Sequence, residues 1–262
     1  MGERVTAPKL LGMKERGERI VCLTAYDATF GAIADEAGVD VVLVGDSLAN
    51  VMLGLPTTLP VSLDQMAHHV QAVSRGVREA LLVADLPFGS YGASVAQAVE
   101  SAAVLIKAGA EAVKLEGDYP EEIRGIVRTG VPVMGHLGFT PQSFHRFGGY
   151  KVQGRSKEGA EDMQAQAREL EAAGAFSIVL ELVPSGVAEG VSKMLTIPTI
   201  GIGAGAGCDG QIQVLHDVLG LGSGGFKHAK AYVDGRKLLR EALAEYTNEV
   251  RRGQFPTEAN SF

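Results

Sequence analysis

The fold this sequence predicts is a (β/α)₈ TIM barrel of the α/β class, and three observations carry that prediction. Short apolar runs alternate with amphipathic stretches along most of the 262 residues. The junctions repeat: Ala37-Gly38-Val39, Ala108-Gly109-Ala110, Thr129-Gly130-Val131 and Ala173-Gly174-Ala175 each close a helix with glycine and open a strand. The βα unit recurs about eight times at roughly 30 to 35 residues, the period such a barrel requires. The strands are also nearly continuous apolar runs, as parallel strands covered by helices are. An open doubly wound sheet is the competing architecture.

In chain order, a short helix is expected over residues 9–16, a strand over 20–25 and a helix over 27–37 capped by Gly38. A second strand runs over 39–45. After a loop with Pro56 and Pro60 comes a helix over 63–78, for which Ser62 is the N-cap candidate. Strand 80–84 leads to helix 94–108, strand 111–117 to helix 120–128, and strand 131–135 to an irregular segment over 137–155. Helix 157–173, strand 175–180, a short helix over 186–194 and strand 197–201 follow. A glycine loop over 203–207, an eighth strand near 211–215, a helix over 229–251 and a featureless tail complete the chain. The whole, 1–262, reads as a single barrel domain with a short N-terminal helix and a C-terminal helix and tail.

The strands share a peculiarity: five in succession end in a polar residue. These are Val41-Val42-Leu43-Val44-Gly45-Asp46, Leu81-Leu82-Val83-Ala84-Asp85, the segment from Glu111 through Lys114 to Glu116, Pro132-Val133-Met134-Gly135-His136, and Ile178-Val179-Leu180-Glu181. Alternation along a strand puts Lys114 and Glu116 on one face and Val113 and Leu115 on the other. Charges at the ends of buried strands are costly unless they have work to do. In a barrel the C-terminal strand ends converge on the active site, so closure best explains a site shared by five strands.

Composition excludes several alternatives. Net charge is −7 with no basic block, which argues against a nucleic-acid partner. No apolar run reaches the length of a membrane span. Residues 1–19 are polar with no signal-peptide core, and the two cysteines, Cys22 and Cys208, make neither a disulfide framework nor a zinc site. A reduced, cytoplasmic protein is expected.

The convergent residues suggest a chemistry. Asp46, Asp85 and Glu116 offer oxygen ligands suited to a hard ion, Mg²⁺ above all, unless each is merely a helix cap or surface acid. Lys114 suits a substrate carboxylate or a developing enolate, or a structural ion pair. His136 suits donation to substrate or acid–base work, or a non-titrating hydrogen-bonded role. Glu181, set apart from the acids, would in an apolar pocket have a raised pKa and suit proton abstraction beside a carbonyl. The loop over 201–207 fits an anion site or a plain tight turn. His68 and His69 read as structural or interfacial, and Phe139, Phe144 and Phe147 as lid or oligomer contacts.

Longer stretches around these residues resemble one family. They are Val44-Gly45-Asp46-Ser47-Leu48, Ala84-Asp85-Leu86-Pro87-Phe88-Gly89-Ser90-Tyr91, Val113-Lys114-Leu115-Glu116-Gly117 and Met134-Gly135-His136-Leu137-Gly138. Thr140-Pro141-Gln142-Ser143, Val152-Gln153-Gly154-Arg155 and Ile200-Gly201-Ile202-Gly203-Ala204-Gly205 with Asp209-Gly210-Gln211 follow in the same order. The family is that of ketopantoate hydroxymethyltransferase, and the match spans about 5–255. The resemblance implies a Mg²⁺-binding barrel that uses 5,10-methylenetetrahydrofolate to hydroxymethylate 3-methyl-2-oxobutanoate. It implies Asp46, Asp85 and Glu116 as metal ligands, with Asp46, Ser47, Asp85 and Lys114 as oxoacid contacts. It further implies His136 as a pocket residue, Glu181 as proton acceptor, and a homodecamer of two stacked five-membered rings. A Mg²⁺-dependent lyase or mutase of the phosphoenolpyruvate mutase and isocitrate lyase type is the alternative. It fits less well: Pro87 stands where such enzymes usually carry a further acid, and the 137–155 segment lacks their lid cysteine. A non-catalytic oxoacid-binding barrel would have no use for Glu181.

Overall fold

The computed structural model describes residues 4–222 and 226–262. They divide into two compact units, one ending at Val214 and the other starting at Leu215.

The first unit is the barrel. Its strands are β1 (Ile20–Thr24), β2 (Val41–Val44), β3 (Leu81–Asp85), β4 (Ala112–Lys114), β5 (Val133–Gly138), β6 (Ser177–Glu181), β7 (Thr199–Ile202) and β8 (Gly210–Gln213). Each pairs in parallel with the next, and β8 closes on β1. An open sheet is thereby excluded.

Helices α1 (Ala7–Glu15), α2 (Ala28–Glu36), α3 (Leu48–Val51), α4 (Leu63–Val73), α5 (Val95–Lys107), α6 (Pro120–Val127), α7 (Phe144–Phe147), α8 (Lys157–Ala172) and α9 (Ser185–Met194) belong to the same unit. Their starts follow local chemistry. Ser62 caps α4 in a reciprocal box with Gln65, and Asp27, Ser94 and Ser156 cap α2, α5 and α8.

Three stretches differ from the expectation. The helix predicted over 63–78 stops at Val73, because the backbone N–H groups of Arg78, Glu79 and Ala80 all donate to the Asp35 carboxylate at 2.7–3.2 Å. That anchoring draws the chain off the helical path. The loop after Asp46 opens with the single turn α3. The irregular 137–155 segment contains the end of β5, a 3₁₀ turn over Pro141–Ser143, and α7.

Alternation along the strands sorts the core into two layers. Val42, Val44, Leu82, Ala84, Val113, Leu115, Ile178 and Leu180 face outward under the helices. Ile20, Cys22, Val41, Leu43, Leu81, Val83, Ala112, Met134, Val179, Ile200 and Ile212 fill the interior together with Val5, Ala7, Leu10 and Met13 of the N-terminal segment. Helix α1 thus plugs the N-terminal end of the barrel and leaves the opposite end for chemistry.

The second unit contains α10 (Leu215–Val218) and α11 (Gly235–Arg251). The helix starts several residues later than the predicted 229, because the Asp234 side chain caps α11 by accepting from the Lys237 N–H at 3.2 Å. Among the described residues, no helix is long and apolar enough to cross a membrane.

Candidate active site

The inward row of each strand changes character at its C-terminal end. Leu81 and Val83 are followed by Asp85, Ala112 by Lys114 and Glu116, Met134 by His136, and Val179 by Glu181. The two-residue period that packs the interior therefore carries these charges to its upper end. Asp85 and Lys114 are direct register partners on β3 and β4. They form an ion pair. The β4–β5 ladder continues past β4, with Gly117 N–H donating to His136 O at 2.9 Å, which sets Glu116 beside His136.

Asp46 arrives differently. Val41 and Leu43 point inward, so a straight continuation of β2 would turn Asp46 away from the interior. Instead β2 ends at Val44 and the chain bends into α3, and the Asp46 N–H donates to Asp85 Oδ2 at 3.0 Å. Ser47 stands at the start of α3, half-buried, with its hydroxyl 2.9 Å from that of Tyr26. His69 Nδ1 lies 2.7 Å from Tyr26 O.

The cluster is buried: Asp46, Asp85, Lys114, Glu116 and His136 are each at most 4% exposed. Three carboxylates there face one ammonium. Burial lifts the Asp46 pKa well above the carboxylate range, and Glu116 and Asp85 lift it further. Burial also pushes Glu116 up to about 7, with Lys114 opposing. For Lys114 burial acts against the charge, but Asp85, Glu116 and Asp46 outweigh it and keep the ammonium firmly protonated.

His136 bridges this cluster to Glu181. Its Nδ1 lies 3.4 Å from Glu116 Oε1 and its Nε2 3.4 Å from Glu181 Oε2, though neither nitrogen makes a well-aligned hydrogen bond. Burial lowers its pKa, which favours the neutral ring. Glu181 is raised by burial, with His136 opposing.

The backbone at Glu181 is held by two unusual positions. Leu182 adopts φ +48°, a strained region for a branched residue. Gly138 has φ +93°, and a Cβ there would fall 2.2 Å from Glu181 O. Only glycine permits the approach of β5 and β6 at that level.

Among the described residues, no three acid, histidine or cysteine side chains stand together as a ready-made ion cage. The donor set still suits a hard divalent cation. Such an ion is commonly held by one or two protein carboxylates, with water and substrate oxygens completing its shell. The buried excess of negative charge is what it would neutralise.

Two residues to which sequence reasoning gave no role join the cluster. Buried Gln142 donates through Nε2 to Asp46 Oδ2 at 2.9 Å and through its backbone N–H to Glu116 Oε2 at 2.9 Å. Tyr91 donates its hydroxyl proton to Gln142 Oε1 at 2.6 Å. Their only sequence signal was membership of the motif stretches 84–91 and 140–143.

A cavity of about 690 Å³ adjoins the cluster, sharing Glu116, Tyr91 and Gln142 with it and bounded by Tyr119, Arg146 and Met163. Phe139, expected as a lid or contact residue, is instead buried and packs 5.0 Å from Tyr150 and 5.8 Å from Phe147, anchoring this loop. The loop over 203–207 behaves as a tight connection, with Ala204 buried and the Gly205 carbonyl accepting from Gln211 Nε2.

Solved structures share the architecture. A phosphonopyruvate hydrolase complexed with oxalate and Mg²⁺ has TM-score 0.64 at 13% identity, over 98% of this chain and 93% of that one. A 2,3-dimethylmalate lyase of the phosphoenolpyruvate mutase/isocitrate lyase superfamily has TM-score 0.62 at 18% identity over the same shares. At such identities the likeness concerns fold alone.

Sequence relatives are much nearer. The 3-methyl-2-oxobutanoate hydroxymethyltransferase of Cyanothece sp. is 52% identical over 96% of this chain and 98% of its own length. That of Burkholderia multivorans is 52% identical over 98% and 96%, and that of Aeropyrum pernix 52% over 98% and 94%. The ketopantoate hydroxymethyltransferase family profile matches residues 4–258. The chain belongs to the ketopantoate hydroxymethyltransferase family.

Proposed function

We propose that this chain transfers a hydroxymethyl group from 5,10-methylenetetrahydrofolate to 3-methyl-2-oxobutanoate, yielding 2-dehydropantoate and tetrahydrofolate, with water supplying the hydroxyl oxygen. This is the first committed step of pantothenate synthesis. The observation that carries the reading is the division of labour in the site: an acid-rich cluster with one lysine, and a separate carboxylate, Glu181, reached through neutral His136.

Asp46, Asp85 and Glu116 would hold Mg²⁺. When bound, the ion would supply Lewis-acid polarisation of the oxoacid carbonyl. Lys114 and Ser47 contact the oxoacid, and the Lys114 ammonium faces the negative charge that develops on the keto oxygen. Glu181 takes the C3 proton. Burial raises its pKa and so brings it closer to the basicity that proton abstraction requires. His136 Nε2 stands beside Glu181 at 3.4 Å, and the apolar side chains of β5 and β6 limit water near the reacting carbon.

The folate, flat and anionic in its tail, is assigned to the adjoining cavity, where Tyr119 offers a ring face and Arg146 a positive charge. A cytoplasmic homodecamer belongs to the same reading. Leu239, Leu243, Tyr246 and Val250 form an exposed apolar stripe on α11 that supports self-association, and sedimentation tests it.

The deciding experiment follows the C3 proton of 3-methyl-2-oxobutanoate by NMR in D₂O, with purified protein and Mg²⁺, with and without tetrahydrofolate. Loss of the C3 signal that EDTA abolishes is expected. Absence of exchange in every mixture, with the protein folded, would reject the reading.

A further inference from the structure

Gln142 lies in none of the strands that bring charges to the site, yet both Asp46 and Glu116 lean on it. Its backbone N–H donates to Glu116 Oε2 at 2.9 Å, and its side-chain Nε2 donates to Asp46 Oδ2 at 2.9 Å and to Leu86 O at 3.0 Å.

Which way the amide faces is decided by its neighbours. The Glu116 N–H donates to the Tyr91 hydroxyl oxygen at 3.0 Å, and that hydroxyl has two acceptors in reach, Gln142 Oε1 at 2.6 Å and Glu116 O at 3.1 Å. A reversed amide would set its carbonyl oxygen against a carboxylate and a backbone carbonyl at once. The NH₂ group therefore faces Asp46. One oxygen of each carboxylate is committed to Gln142. The partner oxygens remain for the interior: Glu116 Oε1 is the one that lies 3.4 Å from His136 and 3.8 Å from Lys114.

We infer that Gln142 is a positioning residue that orients Asp46 and Glu116 for a divalent cation, with the Tyr91 hydroxyl locking its amide. This rests on the proposed function. Donors behind ligating carboxylates set the direction of the lone pairs left for the ion, and losing one ordinarily weakens metal affinity by about 10- to 100-fold. The hydrogen bonds of Gln142 run to Tyr91, Glu116, Asp46 and Leu86 and not to Glu181 or His136, so the proton-transfer step itself should not depend on it.

The test uses Gln142→Met, which keeps the length and bulk of the side chain and removes its donor. Mn²⁺ is titrated into full-length protein without substrates and followed by electron paramagnetic resonance, and C3-proton exchange is then measured across Mn²⁺ concentrations. The Mn²⁺ dissociation constant should rise at least about tenfold. At saturating Mn²⁺ the exchange rate and its pH profile should return to within about twofold of the wild type.

Wild-type Mn²⁺ affinity in the folded variant overturns the assignment, and so does an exchange defect that no ion concentration restores. Should Gln142→Met fail to fold, Tyr91→Phe carries the test, because it frees the amide while leaving the glutamine. A few-fold weaker Mn²⁺ affinity is expected there, and an unchanged one overturns the inference. A wild-type protein that neither binds Mn²⁺ nor exchanges the proton would instead reject the proposed function.

Discussion

The two ends of the barrel each carry a paired lysine, half-buried at one end and buried at the other, and the contrast between them separates structure from function. At the N-terminal end, Lys14 Nζ donates to Ser192 O at 2.8 Å, Ile197 O at 2.9 Å and Asp209 Oδ2 at 3.0 Å. Asp209 in turn accepts from the Thr199 N–H at 2.8 Å and its hydroxyl at 3.0 Å. Three ammonium protons meet three acceptors, one acid meets one base, and Leu10 and Met13 seal the apolar layer above. At the C-terminal end, Lys114 pairs with Asp85 and lies near Glu116, and the Asp46 carboxylate accepts from the Gln142 amide. A saturated pair with no charge left over stabilises a fold. A buried surplus of negative charge costs stability and is retained where something positive is to be bound.

That contrast can be broken at either end. The largest effect is expected from Asp85→Ala, which should reduce ion-dependent C3-proton exchange by on the order of 10³-fold or more while the melting temperature moves little, since like-charge repulsion is relieved as the Lys114 pair is lost. Full exchange in that variant would sink the metal assignment. Glu181→Gln follows, with exchange down by about 10²- to 10⁴-fold and oxoacid binding by calorimetry preserved. Unchanged exchange would point to another base.

At the opposite end, Asp209→Ala should lower stability by about 3 kcal/mol and leave exchange per folded molecule intact. Chemical denaturation together with the NMR assay reads both. Lost activity without lost stability there would contradict a purely structural role.

The smallest effect is in the pH dependence of stability. The folded protein holds the Glu116 proton with a pKa of about 7 against 4.5 for an unperturbed carboxyl. Its contribution to stability is therefore full below about 4.5 and is lost as pH climbs through about 7. The melting temperature of ion-free protein should fall across that window. Millimolar Mg²⁺ should blunt the decline, since it binds the deprotonated form. A flat ion-free profile would show that Glu116 is not perturbed.

Much of this was legible in the sequence because it depends on short-range order. Apolar runs bounded by helix-closing glycines defined the strands, and the two-residue period put Asp85, Lys114, Glu116, His136 and Glu181 at their ends. Serines and aspartates before amphipathic stretches marked helix starts, as Ser62 did. Where a contact distant in sequence intervened, local pattern failed: Asp35 shortened the helix predicted to 78 from more than forty positions away. The start expected at 229 missed a local signal instead, the Asp234 cap.

The sequence by itself determined the barrel, the family and the residues that meet at its C-terminal end, since periodicity and motif order are properties of the chain alone. The tertiary structure decided how those residues meet. Asp46 turns inward only because β2 ends early and α3 begins. Gln142, with no charge and no strand of its own, holds two carboxylates whose nearer one lies 26 positions from it in the chain. Phe139 belongs to the core and not to a lid. Each of these depends on which groups come within hydrogen-bond or packing distance once the chain closes on itself, and linear spacing carries no record of that.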